Sequence, residues 1–172
     1  DVPRSAGRPL RYMDRYVTVT QGSVFYITEC LASLEGLEKG PAGNTALAAA
    51  FKLAQEMDED QIIVVQETEY TGAGKHVMPQ LTFAKENGID VRFGNPDEEV
   101  PGKSLVFPED PSQIKARDFD LEHSRKSYIK NCVKNYHMEK ATEEDVQYIM
   151  DEIRKDRDFV VAELKAHGVE VE

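Results

Sequence analysis

Residues Gln66-Glu67-Thr68-Glu69-Tyr70-Thr71-Gly72-Ala73-Gly74-Lys75-His76 follow directly on the β-branched run Ile62-Ile63-Val64-Val65. They gather carboxylates, hydroxyls, two glycines, a lysine and an imidazole in one polar stretch. In open α/β sheets ligands bind in the crevice beyond the carboxyl ends of strands, so a site is expected here. Glycine N–H groups can cradle phosphate and a lysine can add charge, which makes a phosphate loop the first chemistry to test. The run fails that fingerprint. A Walker A loop needs Gly, four residues, then Gly-Lys-Ser/Thr, whereas Lys75 is followed by His76 and Glu69 stands at the first glycine's place. Gly102-Lys103-Ser104 fails too, with Asp97 at that place and no buried strand before it.

The other groups able to do chemistry are scattered. His76, His123, His137 and His167 show no metal-ligand spacing with Cys30 or Cys132, so no metal site is expected. The two cysteines are far apart in helical stretches, which predicts buried free thiols and a reducing, cytoplasmic compartment. Asp58-Glu59-Asp60 and Glu143-Glu144-Asp145 read as a solvated loop and a helix N-terminus, where the dipole favours negative charge.

The elements that must position the loop can be read from pattern and punctuation. Residues 16–20 alternate as a strand, Gly22 breaks them, and Ser23 offers an N-cap to a helix with Val24, Ile27, Leu31 and Leu34 on one face. Glu35-Gly36 closes that helix. After Lys39-Gly40-Pro41-Ala42-Gly43, Asn44-Thr45 starts an Ala-rich helix reaching Met57, its stripe formed by Leu47, Ala50, Phe51 and Ala54. Residues 62–65 then read as a strand buried on both faces, as in a parallel sheet. A helix over 79–87 and a strand over 89–93 repeat the alternation, and Leu105-Val106-Phe107 is a candidate edge strand. The fold class is α/β, a mostly parallel sheet with flanking helices. A helix over 121–136 follows. Thr142-Glu143-Glu144-Asp145 then caps one long amphipathic helix carrying Val146, Ile149, Ile153, Val160 and Leu164, which ends near His167-Gly168. Residues 1–15 read as an N-terminal loop, 16–108 as the α/β portion, and 109–172 as a C-terminal helical appendage.

Composition sets the class of partner. The 172 residues include 21 Lys or Arg and 32 Asp or Glu, a net charge of −11, which argues against a nucleic-acid or anionic-membrane surface. No apolar run approaches the roughly 20 residues needed to span a bilayer. The chain begins at Asp1 without an initiator Met, which is read as a processed end or as part of something longer.

The order of elements over residues 16–74 resembles the carboxyl-terminal part of the fold type II pyridoxal-phosphate enzymes, the family of threonine synthase, serine/threonine dehydratases and the tryptophan synthase β subunit. The resemblance rests on the strand Val17-Thr18-Val19-Thr20, the helix closing at Glu35-Gly36, the loop Glu38-Lys39-Gly40-Pro41-Ala42-Gly43, the Ala-rich helix, and the hydrophobic strand with its polar end. Within the family, residues 65–76 are most similar to a thiolase branch that takes coenzyme A as cosubstrate and works as a complex with a second, different subunit.

The resemblance implies that pyridoxal 5'-phosphate is the cofactor and that the residue ending strand 62–65 faces its pyridine nitrogen. That residue is Glu67 or Thr68, and Glu38 falls near a position beside the ring. A hydroxyl there leaves the nitrogen largely unprotonated, whereas a carboxylate holds a proton on it and strengthens the ring as an electron sink. The plain alternative for Glu67 is a solvated loop acid. The Schiff-base lysine and the phosphate cradle of the family have no counterpart in this chain and are expected upstream of it, so no catalytic residue is assigned. Thiolytic cleavage of a small amino acid is the activity implied, with a second subunit or a homodimer as partner. β- or γ-elimination or replacement, as in threonine synthase and the dehydratases, is the alternative chemistry, and a non-catalytic α/β docking domain the alternative class.

Overall fold

The structure, a computed structural model, describes residues 10–67 and 77–172, with backbone alone for 78–80. Two units emerge, Val17–Asp118 and, separately, residues 10–16 with Phe119–Glu172. The division falls at Asp118/Phe119 rather than at 108/109. Leu10 belongs to the apolar core of the C-terminal helices, which is why residues 10–16 group with them rather than forming a free loop.

In the Val17–Asp118 unit, strand β1 (Val17–Thr18) leads into helix α1 (Gln21–Glu35). The cap is Thr20 rather than Ser23: the Thr20 hydroxyl accepts the Ser23 N–H. Gly36, at φ 66°, ends the helix in the left-handed turn that glycine adopts without penalty. Burial is concentrated in the first half of α1, at Val24, Phe25, Ile27 and Thr28, while Leu34 is exposed. Helix α2 (Thr45–Ala54) buries Ala48 and Ala50. Val24, Ile27, Ala48 and Ile114 form one core.

Beyond helix α3 (Val77–Glu86), strands β2 (Asp90–Phe93) and β3 (Ser104–Phe107) pair in parallel, with Val91 opposite Leu105 and Phe93 opposite Phe107. Phe25, Val77, Leu105 and Phe107 make a second core, the Phe25 and Phe107 rings stacking at 6.2 Å. Strand β4 (Arg117–Asp118) pairs antiparallel with β1.

The second unit holds helix α4 (Glu122–Tyr136), strand β5 (Lys140–Ala141), helices α5 (Glu143–Ile153) and α6 (Arg157–Ala166), and strand β6 (Glu170–Val171), which runs parallel to β5. One core unites Ile129, Ala141, Val146, Ile149, Ile153, Val160 and Leu164. The single long helix expected over this region is two. Arg154 turns left-handed at φ 53°, and Asp156 caps α6 by accepting the Phe159 N–H at 2.9 Å. The Arg154 guanidinium is held by the Met13 carbonyl and Asp14. Ile153 and Val160 stand seven residues apart and both face the core, so the apolar spacing runs through the break unaltered.

Two expectations about the sheet are corrected. Among the described residues there are three two-stranded sheets, β1–β4, β2–β3 and β5–β6, rather than one mostly parallel sheet. Residues 62–65 join none of them: Ile62 is 86% and Val64 89% exposed. β-Branched side chains favour an extended backbone, but a strand is stabilised by its neighbours, and the described residues supply none here.

The N-terminus of α1 is fastened to β3 by one carboxylate. Glu99 accepts the N–H of Gln21 at 2.7 Å, of Gly22 at 2.8 Å and of Val106 at 3.1 Å. With Thr20 taking the Ser23 N–H, the orphan donors at positions 21 to 23 are all satisfied, and the negative charge sits at the positive end of the helix dipole. The approach is so close that a Cβ on Gly22 would lie 1.9 Å from the Val106 carbonyl oxygen. Nearby, Asp97 binds Lys115 Nζ at 2.8 Å and also pairs with Arg117, tying β4 to the 3₁₀ turn Pro96–Glu98.

Gly22→Ala should therefore lower unfolding stability by about 1–3 kcal/mol through overpacking against backbone, although an open helical site gains up to ~1 kcal/mol from the same change. Chemical denaturation checks the sign, and a raised midpoint contradicts the close seat. Lys115 first, then Arg117, holds the Asp97 carboxyl below its ordinary range. Its contribution to stability is present above the unfolded value of about 3.9 and is lost as pH falls through the lower folded value. Carboxyl NMR should place the Asp97 midpoint below about 3.9, and Lys115→Ala should raise it.

Candidate functional site

The acidic turn before residue 62 is closed by its own chain: Gln61 donates its N–H to the Asp58 carbonyl at 3.1 Å and accepts the Asp58 N–H on its side chain at 2.9 Å. From there no regular element forms, but exposure alternates from residue to residue with the two-residue period of an extended chain. Ile62, Val64 and Gln66 are exposed, while Ile63, Val65 and Glu67 are half-buried. Glu67 thus shares a side with two β-branched residues.

Both carboxylate oxygens of Glu67 are shielded from solvent and neither has a hydrogen-bond partner among the described residues. A shielded polar oxygen without a donor is costly, so its surroundings call for a cation or an N–H group. Among the described residues no cluster of His, Cys, Asp and Glu could hold a metal ion. A protonated ring nitrogen is a donor of the required kind, and the orphaned pair of oxygens fits that role.

Of the other residues singled out in the sequence for the cofactor, only Glu38 is among those the structure describes. Thr68 and the run through His76, including Gly72, Gly74 and Lys75, lie outside the described residues. Glu38 is exposed in the connection between α1 and α2, and no hydrogen bond or ion pair joins it to Glu67. A second orphaned acceptor went unrecognised as a candidate. Asn44, read as part of a helix start, is fully buried and makes no capping bond. Its Nδ2 donates to Thr28 Oγ1 at 3.0 Å, and its Oδ1 has no partner among the described residues. Its position directly after a Gly-Pro-Ala-Gly turn is the one signal in the sequence that the side chain could face inward.

Neither cysteine is an activated nucleophile. Burial raises the Cys30 and Cys132 thiols above their ordinary range, outweighing the Tyr26 and Tyr128 hydrogen bonds that act the other way. Both are free and half-buried. A nucleophilic thiolate needs a lowered pKa, so covalent chemistry through either sulfur is disfavoured. No helix of the described residues is long and apolar enough to cross a membrane.

No protein-family model matches the chain, and no solved structure matches it. Two curated proteins do. The 2-amino-4-ketopentanoate thiolase beta subunit of Acetoanaerobium sticklandii is 67% identical over 165 residues, which cover 96% of this chain and 35% of that protein. A protein of the same name from an unknown prokaryotic organism is 56% identical over 169 residues, covering 98% of this chain and 36% of its own length. The chain spans about a third of the length of these relatives and is similar to them almost throughout its own.

Proposed function

We propose that this chain is part of the β subunit of a pyridoxal-phosphate-dependent 2-amino-4-ketopentanoate thiolase of the fold type II family, a cytoplasmic enzyme of ornithine degradation. The observation that carries the reading is the near-complete similarity to two subunits of that name. The orphaned carboxylate of Glu67 supports the cofactor.

In the reaction proposed, the thiolate of coenzyme A attacks the C4 carbonyl of 2-amino-4-ketopentanoate and takes the acetyl group as the C3–C4 bond breaks. The electron pair released stays on the alanine side and takes up a proton, so the products are acetyl-CoA and alanine. Pyridoxal phosphate, when bound, supplies the electron sink that spreads this charge. Glu67 accepts the ring N–H and keeps that proton in place. The lysine that anchors the cofactor and the groups that grip its phosphate are assigned to the part of the longer polypeptide outside this chain. A second, different subunit completes the enzyme, and coenzyme A replaces any need for a nucleophilic cysteine here.

The longer polypeptide with its partner subunit should form acetyl-CoA and alanine in equal amounts from 2-amino-4-ketopentanoate and coenzyme A. Elimination or replacement on a hydroxyamino acid without thiolysis would instead assign the threonine synthase-like chemistry. In that enzyme Glu67→Gln keeps the shape and removes the charge-assisted hydrogen bond. At about 1.5–3 kcal/mol for such a bond, turnover should fall roughly ten- to hundredfold. The ¹⁵N resonance of ring-labelled cofactor should move toward its unprotonated position, and an unmoved resonance rejects the role given to Glu67.

A further inference from the structure

We propose that residues 62–65 and the outer edge of β2 are docking edges for β-strands supplied by the part of the longer polypeptide that lies outside this chain. Residues 62–67 take part in no backbone hydrogen bond among the described residues, although 62–65 are all β-branched and exposure alternates along the run with the two-residue period of an extended chain. Ile62 and Val64, at 86% and 89% exposure, leave one apolar side of this run in water.

The β2–β3 pair is open in the same sense. Asp90 donates its N–H to the Lys103 carbonyl and Gly94 to the Phe107 carbonyl, each at 2.9 Å. Backbone groups alternate in direction along a parallel ladder, so those of Val91 and Phe93 point away from β3. Phe93 is 69% exposed even though its ring touches that of Phe107. The far edge of β3 is sealed, because Glu99 takes the Val106 N–H and Gly22 abuts the Val106 carbonyl. This sheet can grow only at β2. Parallel sheets are covered on both faces in folded proteins, and a pair of short strands alone is marginal.

The occupant is identified by what is missing. Rows of N–H and C=O groups beside β-branched side chains are satisfied by another extended backbone, not by a helix. The relatives carry about two-thirds of their length beyond the part matched by this chain, which is ample for such strands. The inference rests, with the proposed function, on this chain being part of a polypeptide as long as those relatives, and not on the cofactor or on thiolysis.

Amide hydrogen exchange on the longer polypeptide tests it without any ligand. The amides of residues 62–65, Val91 and Phe93 should exchange at least about a hundredfold more slowly than those of the acidic turn at 58–60 in the same molecule. Exchange as fast as in that turn overturns the proposal. Protection that appears only as the protein self-associates at rising concentration would assign the edges to a second copy and overturn it equally. In the same polypeptide Val64→Lys should lower the unfolding midpoint while Val64→Thr, which keeps the β-branched shape, costs less; a midpoint unmoved by the lysine contradicts burial of that side.

Discussion

Three backbone N–H groups converge on the carboxylate of Glu99, two from the start of α1 and one from β3. That convergence fixes the rest of the Val17–Asp118 unit. α1 contributes to two separate cores, Val24 and Ile27 toward α2 and Ile114, Phe25 toward α3 and the β2–β3 pair. Both depend on where its N-terminus is seated. A carboxylate is suited to the task because unpaired amides and the helix dipole attract the same charge at the same end. Gly22 lets the helix reach that position, since any side chain would meet the backbone of Val106. Seating α1 there also closes the far edge of β3, which sets the direction in which the sheet can extend.

What was legible in the sequence is what a residue does to its own neighbours. Gly36, Gly88 and Gly168 end helices in left-handed turns at φ 66°, 74° and 81°, and the Thr142–Asp145 box caps α5 as the local pattern implies. What was not legible depends on residues far away. The carboxylate on α1 comes from position 99, 77 residues after Gly22. The cap falls on Thr20 rather than Ser23, whose side chain is buried beside it and bonds Thr20 Oγ1 at 2.7 Å. The break after Ile153 is hidden because a left-handed residue and a new cap leave the seven-residue apolar spacing intact.

The candidate site shows the same division. Position after a β-branched run marked the polar stretch 66–76 and the family resemblance put Glu67 or Thr68 at the ring nitrogen, but nothing local says whether the Glu67 oxygens find a donor. The apolar character of residues 62–65 states what those side chains prefer, and only the surrounding chain decides whether they obtain it. The expectation of a strand buried on both faces and the finding of an exposed, unpaired run have one physical origin: side-chain preference without neighbours to satisfy it. Asn44 is the converse case, a residue whose local pattern reads as a cap and whose side chain instead bonds Thr28 in the interior.

The charge balance sharpens the significance of Glu67. With 32 acidic and 21 basic residues the chain cannot pair every carboxylate, and most acids need no partner because water serves them. Where carboxylates are partly or fully withdrawn from water, bases or amides meet them: Lys115 and Arg117 at Asp97, Arg11 at Glu152, three N–H groups at Glu99. Glu67 breaks the pattern, with both oxygens shielded and neither bonded among the described residues. The same extended run carries this orphaned acceptor on one side and the uncovered Ile62 and Val64 on the other. A polar deficit and an apolar deficit on opposite sides of one run call for different remedies, a donor for the first and a packed surface for the second. Strands docked along the run would supply the packed surface and exclude water from the site, and in that drier setting an N–H opposite Glu67 binds more strongly than it would in solvent.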